Sequence, residues 1–290
     1  STLFPYTTLF RSRTGPGRGA TPTLLAGFDL ANPAPRTPAI NPPMATGGGS
    51  DRNAIPSYDF PSWLISRHHV TDMPIRVSAL RALGATANVF AIEGLMDELA
   101  VERGEDPVAF RLRHLADPRA KAVLHAAAER IGWSERQKRD GWGYGVAYAP
   151  YKGDGAYCAV IAEVEVEREI RVHRLVIGVD VGEVINPDGV ANQIEGGAIQ
   201  ATSWTLKEAV RFDRSRILST DWETYPILRF SEVPAVEVVI CKQADKPPMG
   251  AGEAAQGPTT AAIANAVFDA IGLRVYDLPL TPERIIAAMG

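Results

Sequence analysis

The sequence predicts an α+β fold, on two hydrophobic periods and their order along the chain. Between about residues 86 and 133, apolar residues recur three and four apart, the spacing of a helix face. From about residue 157 they alternate with charged residues, the period of a half-buried strand. Strand-like and helix-like stretches then take turns to the C-terminus. Helices first and mixed elements afterwards is the α+β order, with mixed sheets and packed helices.

The first helix is predicted from Asn88. In NVFAIEGLMDELAVERG, Ala91, Leu95 and Leu99 share a face with Met96, Glu98 and Glu102 take the other, and Gly104 is the stop. Asp106-Pro107 reads as an N-cap with a first-turn proline, opening a short helix through Phe110 and Leu115. Asp117-Pro118 repeats the device for a helix ending near Gly132. In AYCAVIAEVEVE, Cys158, Val160, Ala162, Val164 and Val166 alternate with Glu163, Glu165 and Glu167, which predicts a half-buried strand. IRVHRLVIGVDVG is its return strand. Asn186-Pro187 opens a helix carrying Gln193, Glu195, Gly196 and Gly197, and AVEVVICK is a further strand. GPTTAAIANAVFDAIG is a helix with Ile263, Val267 and Ile271 on one face and Gly272 as stop. A strand and loop are expected around Ile65 to Val77. The GWGYGV stretch lacks GxGxxG spacing and a preceding strand, so it is not a dinucleotide loop.

Composition excludes several classes. A net charge of −4 offers no basic patch for nucleic acid. No apolar run reaches the roughly 18 residues of a membrane span. Two cysteines, Cys158 and Cys241, supply neither a disulfide framework nor ligands for an Fe–S cluster. The five histidines stand in no metal-binding spacing. Hydrophobic residues at 46% are enough for a sizeable core. Thr2 to Ser12, TLFPYTTLFRS, is the codon-by-codon translation of a common sequencing adapter, so residues 1–12 are set apart as an artefact. The expectation is that the natural N-terminus is missing. Residues 13–57 are a Gly- and Pro-rich loop segment, and 58–290 form the folded domain.

Three local features can carry chemistry. Gly250-Ala251-Gly252-Glu253 follows a strand and precedes a helix. Its glycines allow close approach or positive φ, and its carboxylate can serve as a general base. Equally, Glu253 can be a pre-helix carboxylate favoured by the helix dipole. Gly196 and Gly197 each cost a helix about 1 kcal/mol relative to alanine, which suggests close backbone approach to a helix or a ligand. Gln193, one turn earlier, can both donate to and accept from a heterocycle. Arg81, with Gly84 at a helix start, can meet an anionic group or sit on the surface.

Five segments in order resemble the molybdopterin-binding large subunit of the xanthine dehydrogenase and aldehyde oxidase family. They are RNAIPSYDFP, LRALGATANVFAIEGLMDELA, GVAYAPYKGDGAYCAVIAEVEV, DVGEVINPDGVANQIEGG and MGAGEAAQGPTTAAIANAVFDAIGLRVYDLPLTPERI. The isoquinoline 1-oxidoreductase and nicotinate or aldehyde dehydrogenase branch is the most similar. The resemblance implies a C-terminal part of the cofactor-binding domain, incomplete at the N-terminus. It implies Glu253 as the catalytic base, activating a molybdenum-bound hydroxyl to hydroxylate an aldehyde or N-heterocycle with water. Gly250, Ala251 and Gly252 would pass beside the metal, Gln193 would line the cofactor pocket, and Arg81 and Gly84 would border it. Leu83 stands where some relatives carry a stacking phenylalanine. The implied cofactor is molybdopterin with molybdenum, in the cytosine dinucleotide form, its metal held by the pterin dithiolene and not by the chain. Implied partners are the remaining N-terminal part of the same large subunit, a small 2Fe–2S subunit holding the Fe–S clusters, and a cytochrome c or flavin subunit. The 290-residue chain alone is expected to be inactive. The alternative is a non-catalytic scaffold or assembly fragment that keeps the fold.

Overall fold

In a computed structural model, residues 49–66, 68, 80–153, 155–243 and 245–290 are described. The adapter-like start, the loop as far as residue 48, and most of the strand and loop expected at 65–77 lie outside them. The elements are α1 (Ala85–Glu102), α2 (Pro107–His114), α3 (Pro118–Ile131), β1 (Trp142–Pro150), β2 (Tyr157–Val166), β3 (Ile170–Asp180), α4 (Pro187–Leu206), β4 (Ala235–Ile240), α5 (Gln256–Ile271) and α6 (Pro282–Met289).

Local chemistry sets most helix ends. Asp106 accepts from the N–H groups of Val108 and Ala109, Asp117 from Arg119, and Asn186 from Gly189. Each cap is followed by proline at the first helical position, where no N–H is needed. Gly132 and Gly272 close α3 and α5 in the left-handed conformation.

The strands form one sheet in the order β1-β2-β3-β4. The first two pairings are antiparallel, and β3 pairs with β4 in parallel, with α4 in the crossover. α5 covers one face, with α1 and α4 against it, and α3 covers the other with α2 beside it. Two cores result. Val160, Ala162, Leu175 and Ile177 face α5 residues such as Ile263 and Val267. Val146, Ala159, Ile161 and Val176 meet Val123, Leu124 and Ala127 of α3.

Four expectations change. β2 is buried on both faces from Tyr157 to Ala162, and only its last third is half-buried, because helices cover both sides of the sheet. α5 is buried all round from Gln256 to Val267, not along one stripe. α1 begins at Ala85, and its buried face is Phe90, Glu93, Met96, Asp97 and Ala100, whereas Ala91, Leu95 and Leu99 are half-buried. The GWGYGV stretch is β1, where Trp142, Tyr144, Val146 and Tyr148 alternate with Gly143, Gly145, Ala147 and Ala149. Its glycines serve packing: a Cβ on Gly145 would stand 2.1 Å from the Ala266 nitrogen of α5. The C-terminal α6 also had no expected counterpart.

Strand direction locates the candidate site. Pro150 of β1 pairs with Tyr157 of β2, which pairs with Asp180 of β3, and Val179 pairs with Ile240 of β4. The loops leaving these ends, 151–156, 181–186 and 241–255, therefore start from one end of the sheet.

Candidate active site

Glu253 lies in the last of these loops, two residues before the Ala255 N-cap of α5. Its Oε1 accepts from the Ala82 N–H at 2.8 Å, and its Oε2 from the Tyr151 hydroxyl at 2.6 Å. Arg52 Nη1 stands 3.9 Å from Oε2 and donates to the Tyr151 oxygen. The Glu253 side chain remains 35% exposed. A bare pre-helix carboxylate would direct its oxygens to the N–H groups of α5. Here they are held by two other loops.

Arg81 ties the neighbourhood together. Its Nε donates to the Gly252 carbonyl, and its Nη2 donates to the Gln193 carbonyl at 2.9 Å and side-chain oxygen at 3.2 Å. The Gln256 amide, oriented to satisfy both its ends, donates to the Glu253 carbonyl at 3.2 Å and accepts from Arg81 Nε at 2.6 Å. Burial lowers the Arg81 pKa, and the Glu253 charge opposes that. Arg81, Gln193, Gly252 and Glu253, chosen from sequence far apart, are thus brought to one place. The fold uses these two Arg81 nitrogens to staple α4 to the Glu253 turn.

The glycines divide by role. Gly84 is buried, and a Cβ there would stand 2.3 Å from the Gly49 carbonyl, so the 49–53 turn requires it. A Cβ on Gly197 would stand 3.2–3.3 Å from the Gln256 and Ala255 side chains, so Gly197 serves the contact of α4 with the start of α5. Among the described residues, a Cβ on Gly196 or Gly250 would meet nothing within 4 Å, and one on Gly252 only Gln193 Oε1 at 3.7 Å. Neither Gly250 nor Gly252 has positive φ. The packing of the described residues requires none of these last three. Gly196 shares a helix face with the exposed Gln193, three residues before it.

The supporting backbone is strained. Ala82 and Leu83 have φ of 70° and 49°, Asn53 has 59° and Lys152 has 61°. These are the non-glycine residues of positive φ among the described residues, and all lie in the 49–53 turn, the 80–84 turn or the loop after β1, which bear on Glu253. Such conformations cost about 1–3 kcal/mol each and persist only when their surroundings over-determine them. Here Asn53 donates to the Pro150 carbonyl and accepts from Lys152 N–H at 3.1 Å, locking two loops together. Arg52 and Tyr151 were given no role from sequence. No local signal marks them, because their partners come from other elements. A separate concavity of about 580 Å³, lined by Lys138, Trp142, Tyr144 and Asp269, lies at the opposite end of the sheet.

Residues 95–234 match the molybdopterin cofactor-binding domain family. A nicotinate dehydrogenase subunit from Pseudomonas putida is 44% identical over 271 residues, covering 88% of this chain and 23% of the relative. The beta subunit of isoquinoline 1-oxidoreductase from Brevundimonas diminuta is 36% identical over 214 residues, 72% of this chain and 27% of the relative. The chain therefore spans about a quarter of the length of these relatives. Among solved structures, quinoline 2-oxidoreductase from Pseudomonas putida superposes with a TM-score of 0.67 at 16% identity, over 73% of this chain and 53% of that one. Aldehyde oxidoreductase from Desulfovibrio gigas gives 0.61 at 17% identity, over 73% and 42%, so the fold is shared. The α+β domain built around the Glu253 loops belongs to the molybdopterin-binding subunits of the xanthine dehydrogenase family.

Proposed function

We propose that this chain forms part of a molybdenum hydroxylase that oxidises an aldehyde or an N-heterocycle with water, with Glu253 as its base. One observation carries the reading. A carboxylate is fixed at both oxygens by strained loops, yet keeps a third of its surface open beside glycines that the packing of the described residues does not require.

That arrangement fits a molybdenum–pterin group. Gly196, Gly250 and Gly252 leave bare backbone where a flat ligand can come close. Gln193 offers an exposed carboxamide to a heterocycle, and Arg81 a cation to an anionic one. When bound, the group supplies a Lewis-acidic metal and a two-electron acceptor. Glu253 takes the proton released as water is used, and its fixed oxygens keep it aimed while it does so. The names of the relatives support an aldehyde or N-heterocyclic substrate. They also support assembly with other subunits, for which we propose a 2Fe–2S subunit and a cytochrome c or flavin subunit. The cytosine dinucleotide form of the pterin belongs to the same proposal.

The test is Glu253→Gln in the assembled, cofactor-loaded enzyme. Turnover should fall about 10²–10⁴-fold, the usual worth of a positioned base, with molybdenum per chain unchanged. Undiminished turnover would remove Glu253 from the mechanism. The 290-residue chain alone should bind little molybdenum, and a stoichiometry near one per chain would overturn that part.

A further inference from the structure

We propose that Tyr151 is a positioning residue for the Glu253 base and that Arg52 sets the direction of its hydrogen bond. The inference rests on Glu253 being the base. A phenol can donate or accept, and its neighbours decide which. Arg52 donates to the Tyr151 oxygen, and a guanidinium has no acceptor to offer in return. The single phenolic proton is therefore directed to Glu253 Oε2, 2.6 Å away. The other carboxylate oxygen is pinned by the Ala82 N–H at 2.8 Å. With one oxygen on each loop, the carboxylate has one orientation.

The same chemistry shows that the triad does not conduct protons. A proton passed from Glu253 through Tyr151 would have to reach Arg52, which holds its own protons throughout the working range. The chain of hydrogen bonds ends there, and a proton taken by Glu253 leaves through its exposed side. Burial, then the bond to Glu253, raises the Tyr151 pKa, so the phenol remains a donor. Asn53, bonded to the Pro150 carbonyl and to Lys152 N–H, holds the 49–53 turn against the 151–156 loop. That bracing brings Arg52 and Tyr151 together, and Arg52 also lies over the Tyr151 ring at 5.4 Å.

Tyr151→Phe in the assembled, molybdenum-loaded enzyme removes only the hydroxyl. We expect kcat to fall about tenfold, the worth of one hydrogen bond to a charged group, with KM within about twofold. Molybdenum per chain should not move, and the melting midpoint should fall by no more than about 4 °C. The isotope-edited infrared bands of the Glu253 carboxylate, identified by their loss in Glu253→Gln, should shift. Arg52→Met should lower kcat about threefold by freeing the phenol, and Arg52→Lys, which restores a donor, should recover most of it. Wild-type kcat with unshifted bands in Tyr151→Phe would overturn the proposal. So would a loss of molybdenum or stability large enough to explain the fall in rate. If Glu253→Gln abolishes turnover while Tyr151→Phe is silent, the clamp fails and the base stands. If Glu253→Gln is active, the base itself fails.

Discussion

Two glutamates in this chain are each set among a tyrosine hydroxyl, a backbone N–H and an arginine. Glu93 accepts from the Tyr58 hydroxyl at 2.7 Å, from Arg111 Nε at 2.8 Å and from the Tyr148 N–H at 2.9 Å. Glu253 accepts from the Tyr151 hydroxyl and the Ala82 N–H, with Arg52 3.9 Å away. Their surroundings differ. Glu93 and Arg111 are fully buried, and their network continues through Asp97 to Arg274 and Asn265. It joins α1, α2, β1 and α5. Glu253 keeps an open flank, and its arginine bonds to the tyrosine oxygen. Burial pushes the Glu93 pKa up, and Arg111 opposes the shift. Donor type therefore does not separate a structural carboxylate from a reactive one. Access, and how completely each oxygen is used, separates them.

Mutation can break or sharpen this contrast. Arg111→Ala leaves two buried carboxylates without their shared cation and should cost about 3–5 kcal/mol in urea denaturation. A cost below about 1 kcal/mol would remove the distinction between the two sites. Glu253→Gln should change stability by less than about 1 kcal/mol while its effect on turnover is large, because its side chain is part-solvated, its amide oxygen can keep the Ala82 N–H and its amide nitrogen can donate to the Tyr151 oxygen. A larger loss would make Glu253 structural, like Glu93. The smallest effect is expected at Lys152, exposed and at positive φ. Lys152→Gly should raise stability by about 0.5–1 kcal/mol in the same assay, since glycine adopts that conformation without strain. A decrease would mean that the Lys152 ammonium, 5.5 Å over the Tyr151 ring, outweighs the strain.

The parts legible from sequence share a physical character. The caps at Asp106, Asp117 and Asn186 bond two or three residues along the chain, and were found from Asp-Pro and Asn-Pro. The strands β2, β3 and β4 showed in composition and alternation. β1 carries a period of two as well, Trp142, Tyr144, Val146 and Tyr148 against glycines and alanines, but its small residues mask the strand because they leave room for the α5 backbone. The face of α1 was misplaced because apolar residues were assumed to be the buried ones. Glu93 and Asp97 are buried instead, through partners on other elements. Of the proposed site, Glu253, Gln193, Gly250, Ala251, Gly252, Arg81 and Gly84 were legible only with the family resemblance beside the local signals. Gly84 then proved to be required by packing.

Helix ends, strand periods and the family resemblance are short-range properties, written in neighbouring residues. The Glu253 environment is of another kind. Tyr151 and Glu253 are 102 residues apart, and Ala82 and Glu253 are 171 apart. Tyr151 and Glu253 meet because β1 and β4 finish at the same end of the sheet, and Ala82 joins them because α1 packs against α5. Sequence could nominate the carboxylate. Only the folded chain could supply the phenol, the strained N–H and the guanidinium that hold it.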